Sequence, residues 1–415
     1  MKKTILALIA AASVGVGSSA MAGTLVINSD TSDPAPKKAF EYIIEKFEAE
    51  NPDVTVEWNL FDHEAYKQSI RNFLITNPPD VANWYAANRM RPFVKAGLFE
   101  DVSDIWSNTG WKDGDLNSSM EHAKKSMTIG GRQWGVPYTY YQWGVYYRKD
   151  IFEDMGIAVP KTFDEFVEAC AKLKAGGVTP ITIGTKYLWT TAGVFDYLNL
   201  RVNGFEFHME LTGGNVPYTD PRVGAVFDAW DRLVKPGYFL ENHAAYSWQE
   251  AVTPMVKGEA AMYVMGNFLV TSLREGGLTD DQIGFFQFPE ITPGLPMAEE
   301  APIDTVHIPS GAKNKVDAKR FLIFMARADV QAEVNKILGQ LPINKDAAVP
   351  ADDKFLQAGQ DMLSNAYALA QFYDRDAPAE MASAGMKGFQ EYMVKPERRE
   401  AILERLDKAR QRVYK

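Results

Sequence analysis

The fold is decided by three short apolar segments, Thr24-Leu-Val-Ile-Asn28, Val54-Thr-Val-Glu-Trp-Asn-Leu60 and Asp80-Val-Ala-Asn-Trp84. A helical pattern follows the first segment: Asp33 is placed as an N-cap, Pro34 is the first helical residue, and apolar residues then recur at helical spacing. Strands that alternate with helices in this way form a parallel sheet covered by helices. The sequence therefore predicts an α/β fold in which ligands bind beyond the carboxyl ends of the strands.

The amino terminus has the pattern of a secretory signal peptide. Lys2 and Lys3 precede a mostly apolar run, and Ala20-Met-Ala22 is a typical cleavage site before Gly23. The apolar run is shorter than the roughly 20 residues that a membrane-spanning helix needs. We therefore predict that residues 1–22 are removed and that the protein is exported to the periplasm.

Composition argues against several classes of protein. The 415 residues carry a formal net charge of −10, which argues against nucleic acid as a partner. Cys170 is the single cysteine, so no intramolecular disulfide forms, and we expect it to be a small core residue. The five histidines are far apart in the chain, so no metal site is predicted, and no phosphate- or nucleotide-binding motif indicates a cofactor.

Polar and aromatic residues follow the first and third strands at their carboxyl ends. Asp30 and Ser32 follow the first strand, and Tyr85 and Asn88 follow the third. These positions predict contacts with a ligand. Asp30 and Ser32 have an alternative role as caps of the first helix, and the two roles are compatible.

The densest aromatic stretch covers residues 130–150. Read as an extended strand, it carries aromatic rings on both faces, which favours core packing for Tyr146 and Tyr147. The residues nearer its start are predicted to contact a ligand: Tyr140, Tyr141 and Trp143.

Two further segments place candidates near the ends of predicted strands or the starts of helices. Trp189 follows a predicted strand, where it either contacts a ligand or covers the next helix. Trp248 lies in a capping box, Ser247-Trp-Gln-Glu250, and projects from the first helical turn, which makes it the strongest candidate for stacking. Gly266 and Asn267 end a buried strand, where the glycine admits a ligand close to the backbone and Asn267 either caps the next helix or binds a hydroxyl.

Aromatic rings beside amide and carboxylate groups favour a carbohydrate ligand. Sugar rings stack their C–H faces on indole and phenol rings, and their hydroxyls need polar partners. A periplasmic glycoside hydrolase is one alternative, because the 54 acidic residues could include the carboxylate pair that it requires. A tyrosine-based ferric-ion receptor is another, because adjacent tyrosines occur at Tyr140-Tyr141 and Tyr146-Tyr147. We predict a sugar receptor that is not an enzyme.

Five motifs carry a family resemblance over nearly all of the chain beyond the signal peptide. They are Gly135-Val-Pro-Tyr138, Tyr146-Tyr-Arg-Lys-Asp-Ile-Phe152, Pro160-Lys-Thr-Phe-Asp-Glu-Phe166, Lys257-Gly-Glu-Ala-Ala-Met-Tyr-Val-Met-Gly-Asn267 and Pro342-Ile-Asn344. With these motifs the chain resembles the extracellular solute-binding family of maltose-binding type, the receptors of carbohydrate ABC importers. The resemblance implies a type II-like periplasmic binding protein fold with two lobes, a hinge and an interlobe ligand cleft. It places the N-terminal lobe at residues 23–137 and 286–342, and the C-terminal lobe at residues 138–285 and 343–415.

The resemblance also implies a monomeric receptor, without enzymatic activity or cofactor, that passes a mono- or oligosaccharide or a related glycoside to the permease subunits of an ABC importer. By position, the family's ligand contacts fall on Asp30, Tyr85, Asn88, Tyr141, Trp189, Trp248, Gly266 and Asn267. The chain departs from the maltose-type pattern at Tyr141, where that pattern has an acidic residue, so specificity for malto-oligosaccharides is not carried over. Arg375 is expected either to bind an anionic substituent of the sugar or to pair with Asp374 or Asp376.

Overall fold

The computed structural model describes residues 23–107 and 116–415, so the predicted signal peptide lies outside the described residues. The strands are β1 (Gly23–Ser29), β2 (Val54–Leu60), β3 (Val81–Tyr85), β4 (Thr128–Ile129), β5 (Arg132–Gln133), β6 (Val136–Tyr140), β7 (Trp143–Arg148), β8 (Thr179–Ile181), β9 (Ala260–Gly266), β10 (Ile283–Phe286), β11 (Glu299–Glu300), β12 (Ile303–His307) and β13 (Leu369–Ala370).

The α-helices are α1 (Pro34–Glu50), α2 (His63–Thr76), α3 (Arg91–Lys95), α4 (Ser103–Trp106), α5 (Leu116–Ser119), α6 (Glu121–Met127), α7 (Lys149–Asp154), α8 (Phe163–Ala175), α9 (Trp189–Asn203), α10 (Phe205–Thr212), α11 (Pro221–Val234), α12 (Val252–Val256), α13 (Phe268–Glu275), α14 (Lys315–Ala326), α15 (Ala328–Leu338), α16 (Lys354–Asn365), α17 (Tyr373–Asp376), α18 (Ala379–Val394) and α19 (Arg399–Val413). Short 3₁₀ turns lie at Ala87–Arg89, His243–Ala245 and Pro396–Arg398. Among the described helices, none has both the length and the apolar character to cross a membrane.

The first sheet has the strand order β2-β1-β3-β12-β6. β1 is parallel to β2 and to β3, as the alternation of strands and helices predicts. β12 comes from much later in the chain and is antiparallel to both of its neighbours, β3 and β6. The sheet is therefore mixed, because a late strand enters it in the opposite direction.

The second sheet has the order β10-β7-β9-β8. β7 is antiparallel to β9 and β10, and β8 is parallel to β9. Tyr141 and Gln142 alone separate β6 of the first sheet from β7 of the second. The aromatic stretch is thus two strands in different sheets, and the chain passes between the sheets at Tyr141.

Each sheet carries its own hydrophobic core, which gives the molecule two lobes. The first core includes Leu25, Phe40, Ile70 and Phe321. The second core joins β7 and β9 to α8, α9, α11, α18 and α19. We refer to these halves as the first and second lobes. The residue boundaries predicted for them stay a prediction.

The sequence signals for helix starts predict the beginnings of α1 and α8 correctly, but not the beginning of α12. Asp33 and Pro34 begin α1, although the Asp33 side chain makes no capping hydrogen bond. Thr162 and Glu165 form the predicted capping box of α8. Ser247 and Glu250 also exchange their two hydrogen bonds, but the next helix begins later, at Val252.

His307, near the end of β12, is a buried core residue. Its Nδ1 lies 2.6 Å from the carbonyl oxygen of Trp134, and its Nε2 lies 2.6 Å from Oγ1 of Thr305. Because a carbonyl oxygen only accepts, Nδ1 donates, and the neutral ring accepts from Thr305 at Nε2. The ring also stacks on Phe99 with 4.3 Å between centroids. Burial lowers the pKa of His307 to about 4.

We expect the free energy of unfolding to fall as the pH drops from about 6.5 to about 4. The unfolded chain binds a proton at His307 near the ordinary pKa, whereas the folded chain binds it only near the lowered pKa. The contribution is complete above the unfolded pKa and is lost by on the order of 1.4 kcal/mol for each pH unit below it. Urea denaturation at a series of pH values measures this slope.

A His307→Gln variant keeps a donor for the Trp134 carbonyl and should show a shallower slope than the unaltered protein. The residual slope includes His243, because burial lowers its pKa to about 4 as well. Equal slopes in the two proteins would assign the acid sensitivity to other groups.

Candidate functional site

A cavity of about 160 Å³ lies between the two lobes. Residues that follow β1 and end β3 form part of its first-lobe wall, as the rule for parallel strands predicts. The second-lobe wall comes from the start of β7 and from the starts of α9 and α13. The candidate site is therefore built from both lobes.

The second-lobe wall is a cluster of aromatic rings. Trp143 lies 6.0 Å from Trp189 and 4.9 Å from Phe372 between ring centroids. Trp248 lies 5.0 Å from Phe268 with an interplanar angle of 75°. These mostly edge-to-face contacts are favourable for aromatic pairs and hold each ring in one orientation.

Trp143 is fixed from two sides by glycines. A Cβ on Gly193 would lie 2.5 Å from Cζ3 of Trp143, and a Cβ on Gly266 would lie 3.0 Å from its Nε1. The carbonyl oxygen of Trp143 accepts a hydrogen bond of 2.6 Å from the Tyr197 hydroxyl. The indole thus occupies space that any larger residue at 193 or 266 would fill.

The first-lobe wall is polar and charged around Asp30. The Tyr85 hydroxyl donates to Oδ2 of Asp30 at 2.9 Å, and Nδ1 of His63 lies 3.2 Å from the same oxygen. Burial works to raise the pKa of Asp30, but the hydrogen bonds from His63 and Tyr85 and the charges of His63 and Lys67 outweigh it and hold the pKa below its ordinary value. Asp30 is therefore an ionised acceptor in the cavity.

Arg375 lines the cavity and pairs with Asp304. Its Nη2 lies 3.0 Å from Oδ1 of Asp304, and its Nη1 donates to the Ile303 carbonyl oxygen at 2.7 Å. The guanidinium carbon lies 4.5 Å from the centroid of the Tyr85 ring. The expected pairing of Arg375 with Asp374 or Asp376 is wrong, because Asp304 on β12 is brought next to it by the fold. Burial works to lower the pKa of Arg375, but the surrounding anions raise it overall.

Most of the residues singled out from the sequence meet at this cavity. Those that line it are Asp30, Tyr85, Tyr141, Trp143, Trp189, Trp248 and Arg375. Their convergence is a geometric finding, and their roles toward a ligand stay predictions.

Three of the predicted residues are absent from the cavity wall because they are engaged within their own surroundings. Ser32 accepts a hydrogen bond from the backbone N–H of His63 at the start of α2. Tyr140 exchanges backbone hydrogen bonds with Leu341. Gly266 brings its backbone close to Trp143 and Phe268, so the glycine admits a ring of the protein where a ligand was expected.

The two asparagines of the prediction are also engaged elsewhere. Asn88 donates to the backbone carbonyl of Asp376 and accepts from Arg91 at 2.6 Å. Asn267 donates to the Gly339 carbonyl at 2.6 Å and accepts from the Tyr146 hydroxyl at 2.8 Å, and its side chain makes no helix cap. Their hydrogen-bonding groups already have partners from distant parts of the chain.

The cavity also contains residues that the sequence did not single out for the site. Asn83 on β3 lines it and has Oδ1 without a hydrogen-bond partner in the described chain. His63, Asp304 and Phe372 line it as well. Of these residues, Asp304 lies nearest in sequence to a predicted lobe boundary, the one between residues 285 and 286.

We expect Gly193→Ala to destabilise the protein by about 1–3 kcal/mol, the usual range for overpacking a core. The added methyl group would clash with the Trp143 indole. The indole cannot move away, because the backbone at Gly266 lies close to its other side. Urea denaturation measures the loss, and near-ultraviolet circular dichroism reports the displaced indole.

Gly224→Ala is the matched control, because Gly224 also lies in a helix and its Cβ would meet only the end of the Arg399 side chain, at 3.2 Å. That variant should be neutral or more stable, since alanine favours helices. Equal stability of Gly193→Ala and the parent would show that Trp143 is not confined.

The comparisons with known proteins agree with this architecture. A family model described as bacterial extracellular solute-binding protein matches residues 31–332. An uncharacterized ABC transporter extracellular-binding protein of Pyrococcus horikoshii is 28% identical over 324 residues, which cover 76% of this chain and 70% of that protein. The multiple sugar-binding protein of Streptococcus mutans is 25% identical over 292 residues, with 69% of this chain and 67% of that protein covered.

Solved structures share the fold over almost the whole chain. The bacterial solute receptor AcbH superposes with a TM-score of 0.87 at 27% identity, covering 95% of this chain and 100% of its own. A structure from the study of xylan utilization by Caldanaerobius polysaccharolyticus superposes with a TM-score of 0.84 at 23% identity, covering 94% of this chain and 100% of its own. Because the family model matches well over half of the residues, the chain belongs to the family of bacterial extracellular solute-binding proteins.

Proposed function

We propose that this protein is the sugar receptor of an ABC importer and that it encloses a single sugar ring between its lobes. The observation that carries the proposal is one interlobe cavity with an aromatic wall on the second lobe and a charged, hydrogen-bonding wall on the first. The receptor would work in the periplasm as a monomer and would deliver its ligand to the permease subunits.

The two walls match the two chemical faces of a sugar. The C–H faces of a pyranose stack on indole and phenyl rings, which Trp248, Trp143 and Phe268 present. Its hydroxyls donate to anionic or amide oxygens, which Asp30 and Asn83 present. Asp30 also stays ionised through its neighbours, so it remains an acceptor for hydroxyl groups.

The volume favours one ring over a chain of rings. A cavity of about 150 Å³ holds one benzene molecule, and this cavity has about 160 Å³. AcbH, at 27% identity, is described as having an exclusive preference for β-D-galactopyranose, which is also a single ring. We therefore propose a monosaccharide in its pyranose form.

The ion pair and hydrogen bond that Arg375 already makes favour a neutral sugar over a sugar acid as the ligand. Its guanidinium is occupied by Asp304 and by the Ile303 carbonyl, and its face covers Tyr85. A ligand carboxylate would have to compete with Asp304 for the same nitrogen atoms and would add a negative charge beside Asp30.

The other two functions receive no support from the geometry. The tyrosine pairs do not converge, because Tyr146 and Tyr147 belong to the core of the second lobe. Burial and nearby Asp304 raise the pKa of Tyr141, which disfavours the phenolate that binds ferric ion. Asp30 is held ionised by its partners and Asp304 is paired with Arg375, which disfavours either one as the protonated general acid of a glycoside hydrolase.

Side chains of opposite lobes meet at the rim of the cavity, which supports capture by lobe closure. The Trp189 indole donates to Oε1 of Glu64 at 3.2 Å, and the Gln249 amide donates to Oδ1 of Asp33 at 3.1 Å. These contacts would be lost if the lobes moved apart, and a sugar that bridges the walls would shift the equilibrium toward the arrangement that makes them.

We expect neutral aldohexoses to raise the melting temperature, because a ligand that binds only the folded form stabilises it by mass action. A thermal-shift panel should contain galactose, glucose and mannose, their uronic acids, and disaccharides such as maltose and lactose. Uronic acids and disaccharides should give smaller shifts. A panel in which no carbohydrate acts at millimolar concentration would contradict the proposal, and a preference for disaccharides would contradict the single-ring assignment.

We expect Trp248→Ala to weaken binding of the best hexose by about 2 kcal/mol or more, the scale of a binding hot spot. The indole supplies both stacking area and the contact with Phe268. Isothermal titration calorimetry measures the loss. Trp134→Ala is the matched control, since Trp134 is a partly buried tryptophan outside the cavity wall, and unchanged affinity in both variants would remove Trp248 from the binding site.

A further inference from the structure

A cluster of buried ionisable side chains lies in the second lobe, beside the segment that carries Arg375. Asp196 on α9, His208 on α10 and Glu300 on β11 are all fully buried. One potential ligand atom from each lies within 4.8 Å of the others. Oδ2 of Asp376, at the end of α17, lies 3.6 Å from Nε2 of His208. None of these four residues belongs to the wall of the sugar cavity.

Several polar atoms of the cluster have no hydrogen-bond partner among the described residues. They are both carboxylate oxygens of Glu300, Oδ1 of Asp196 and Nε2 of His208. Buried polar atoms almost always have partners, and a buried carboxylate without one is costly. The cluster therefore needs either protons or a bound cation to satisfy these atoms.

The neighbouring arginines are already engaged. Nη2 of Arg201 lies 2.5 Å from Oε1 of Glu299, and the Tyr197 hydroxyl donates to Oε2 of the same carboxylate at 3.0 Å. Arg375 pairs with Asp304. Neither arginine is left to neutralise Glu300.

We propose that Asp196, His208 and Glu300, joined by Asp376, bind one divalent transition-metal ion, Mn²⁺ or Zn²⁺. An imidazole nitrogen combined with carboxylate oxygens suits these ions, whereas Ca²⁺ and Mg²⁺ prefer oxygen ligands alone. Zinc bonds to these donors measure about 2.0–2.2 Å, so two ligand atoms lie at most about 4.4 Å apart. Small side-chain rotations would bring the present atoms within that limit.

Neighbouring groups already contact two of the proposed ligands. Nδ2 of Asn199 lies 3.2 Å from Nδ1 of His208, and this donor would have to turn away for Nδ1 to carry the proton and leave Nε2 free for the ion. Oδ2 of Asp196 accepts from the backbone N–H of Tyr373 at 2.7 Å, which leaves Oδ1 for the ion. The ion would tie α9 to α17 and so fix the segment that bears Asp374 and Arg375.

Protons are the competing occupants. Burial, together with nearby carboxylates, raises the pKa of Asp196 to about 8 and the pKa of Glu300 well above its ordinary value. Glu300→Gln separates the two states, because glutamine imitates a protonated carboxyl but cannot act as an anionic ligand.

The experiment uses the full mature chain, purified without a metal-affinity tag and stripped with EDTA. It measures bound metal by inductively coupled plasma mass spectrometry and melting temperature after separate additions of MnCl₂, ZnCl₂, CaCl₂ and MgCl₂. We expect about one Mn²⁺ or Zn²⁺ per chain and a higher melting temperature with that ion. Glu300→Gln and Asp196→Asn should each lower the affinity for the ion by at least about tenfold, whereas Glu404→Gln, an exposed residue of α19, should leave it unchanged.

Three outcomes would overturn the proposal. The first is a stripped parent protein that takes up neither Mn²⁺ nor Zn²⁺, which would leave protons as the occupants. The second is an equal response to the ion in the parent and in folded Glu300→Gln. The third is stabilisation by Ca²⁺ or Mg²⁺ alone, which would exclude imidazole from the ligand set. Metal content of the parent decides the question even if a variant fails to fold, and none of these readouts depends on sugar binding.

Discussion

The aromatic wall of the binding cavity depends on the absence of side chains at Gly193 and Gly266. Those two glycines admit the Trp143 indole between a helix and a strand end. Phe372, Trp189 and the other rings then pack around that indole. Because the rings support each other and are buried against a rigid core, they need little ordering when a ligand arrives, which reduces the entropic cost of binding.

Neither lobe alone provides a complete site. The second lobe contributes Trp143, Trp189, Trp248 and Phe268, and the first lobe contributes Asp30, His63 and Asn83. A ligand that satisfies both walls therefore stabilises the arrangement in which they face each other. Contacts such as those of Trp189 with Glu64 and of Asn88 with Asp376 also join the two halves in this arrangement. Under the proposed function, the ligand's contacts with both walls would shift the population toward this arrangement.

The sequence predicts those features whose signal is local. The strand Val54–Leu60 and the capping box at Thr162 follow from periodicity and from neighbouring residues. The family and two-lobe fold follow from motifs along the chain. What the sequence does not reveal is which polar groups are already satisfied. Asn267 looked free at a strand end, yet its amide is bound by Gly339 and Tyr146 from other parts of the chain.

The same limit explains why the sequence did not reveal the partner of Arg375 or the buried cluster of ionisable residues. Arg375 has acidic neighbours in sequence, but its partner is Asp304, 71 positions away. Asp196, His208 and Glu300 come from three elements and have no spacing that marks them as a group. Long-range pairings of this kind depend on how β11, β12 and α17 meet, and no local pattern encodes that.

The segment from Phe372 to Asp376 joins the two sites and shows why the buried cluster matters for the cavity. Phe372 has φ of 114°, a conformation that non-glycine residues adopt only when the surroundings enforce it. Its ring packs on Trp143, while the next residue, Tyr373, donates its backbone N–H to Asp196. The backbone strain is thus held between the aromatic wall on one side and a buried carboxylate on the other. An ion or proton that neutralises Asp196 would therefore act on the same short segment that places Arg375 against Asp304.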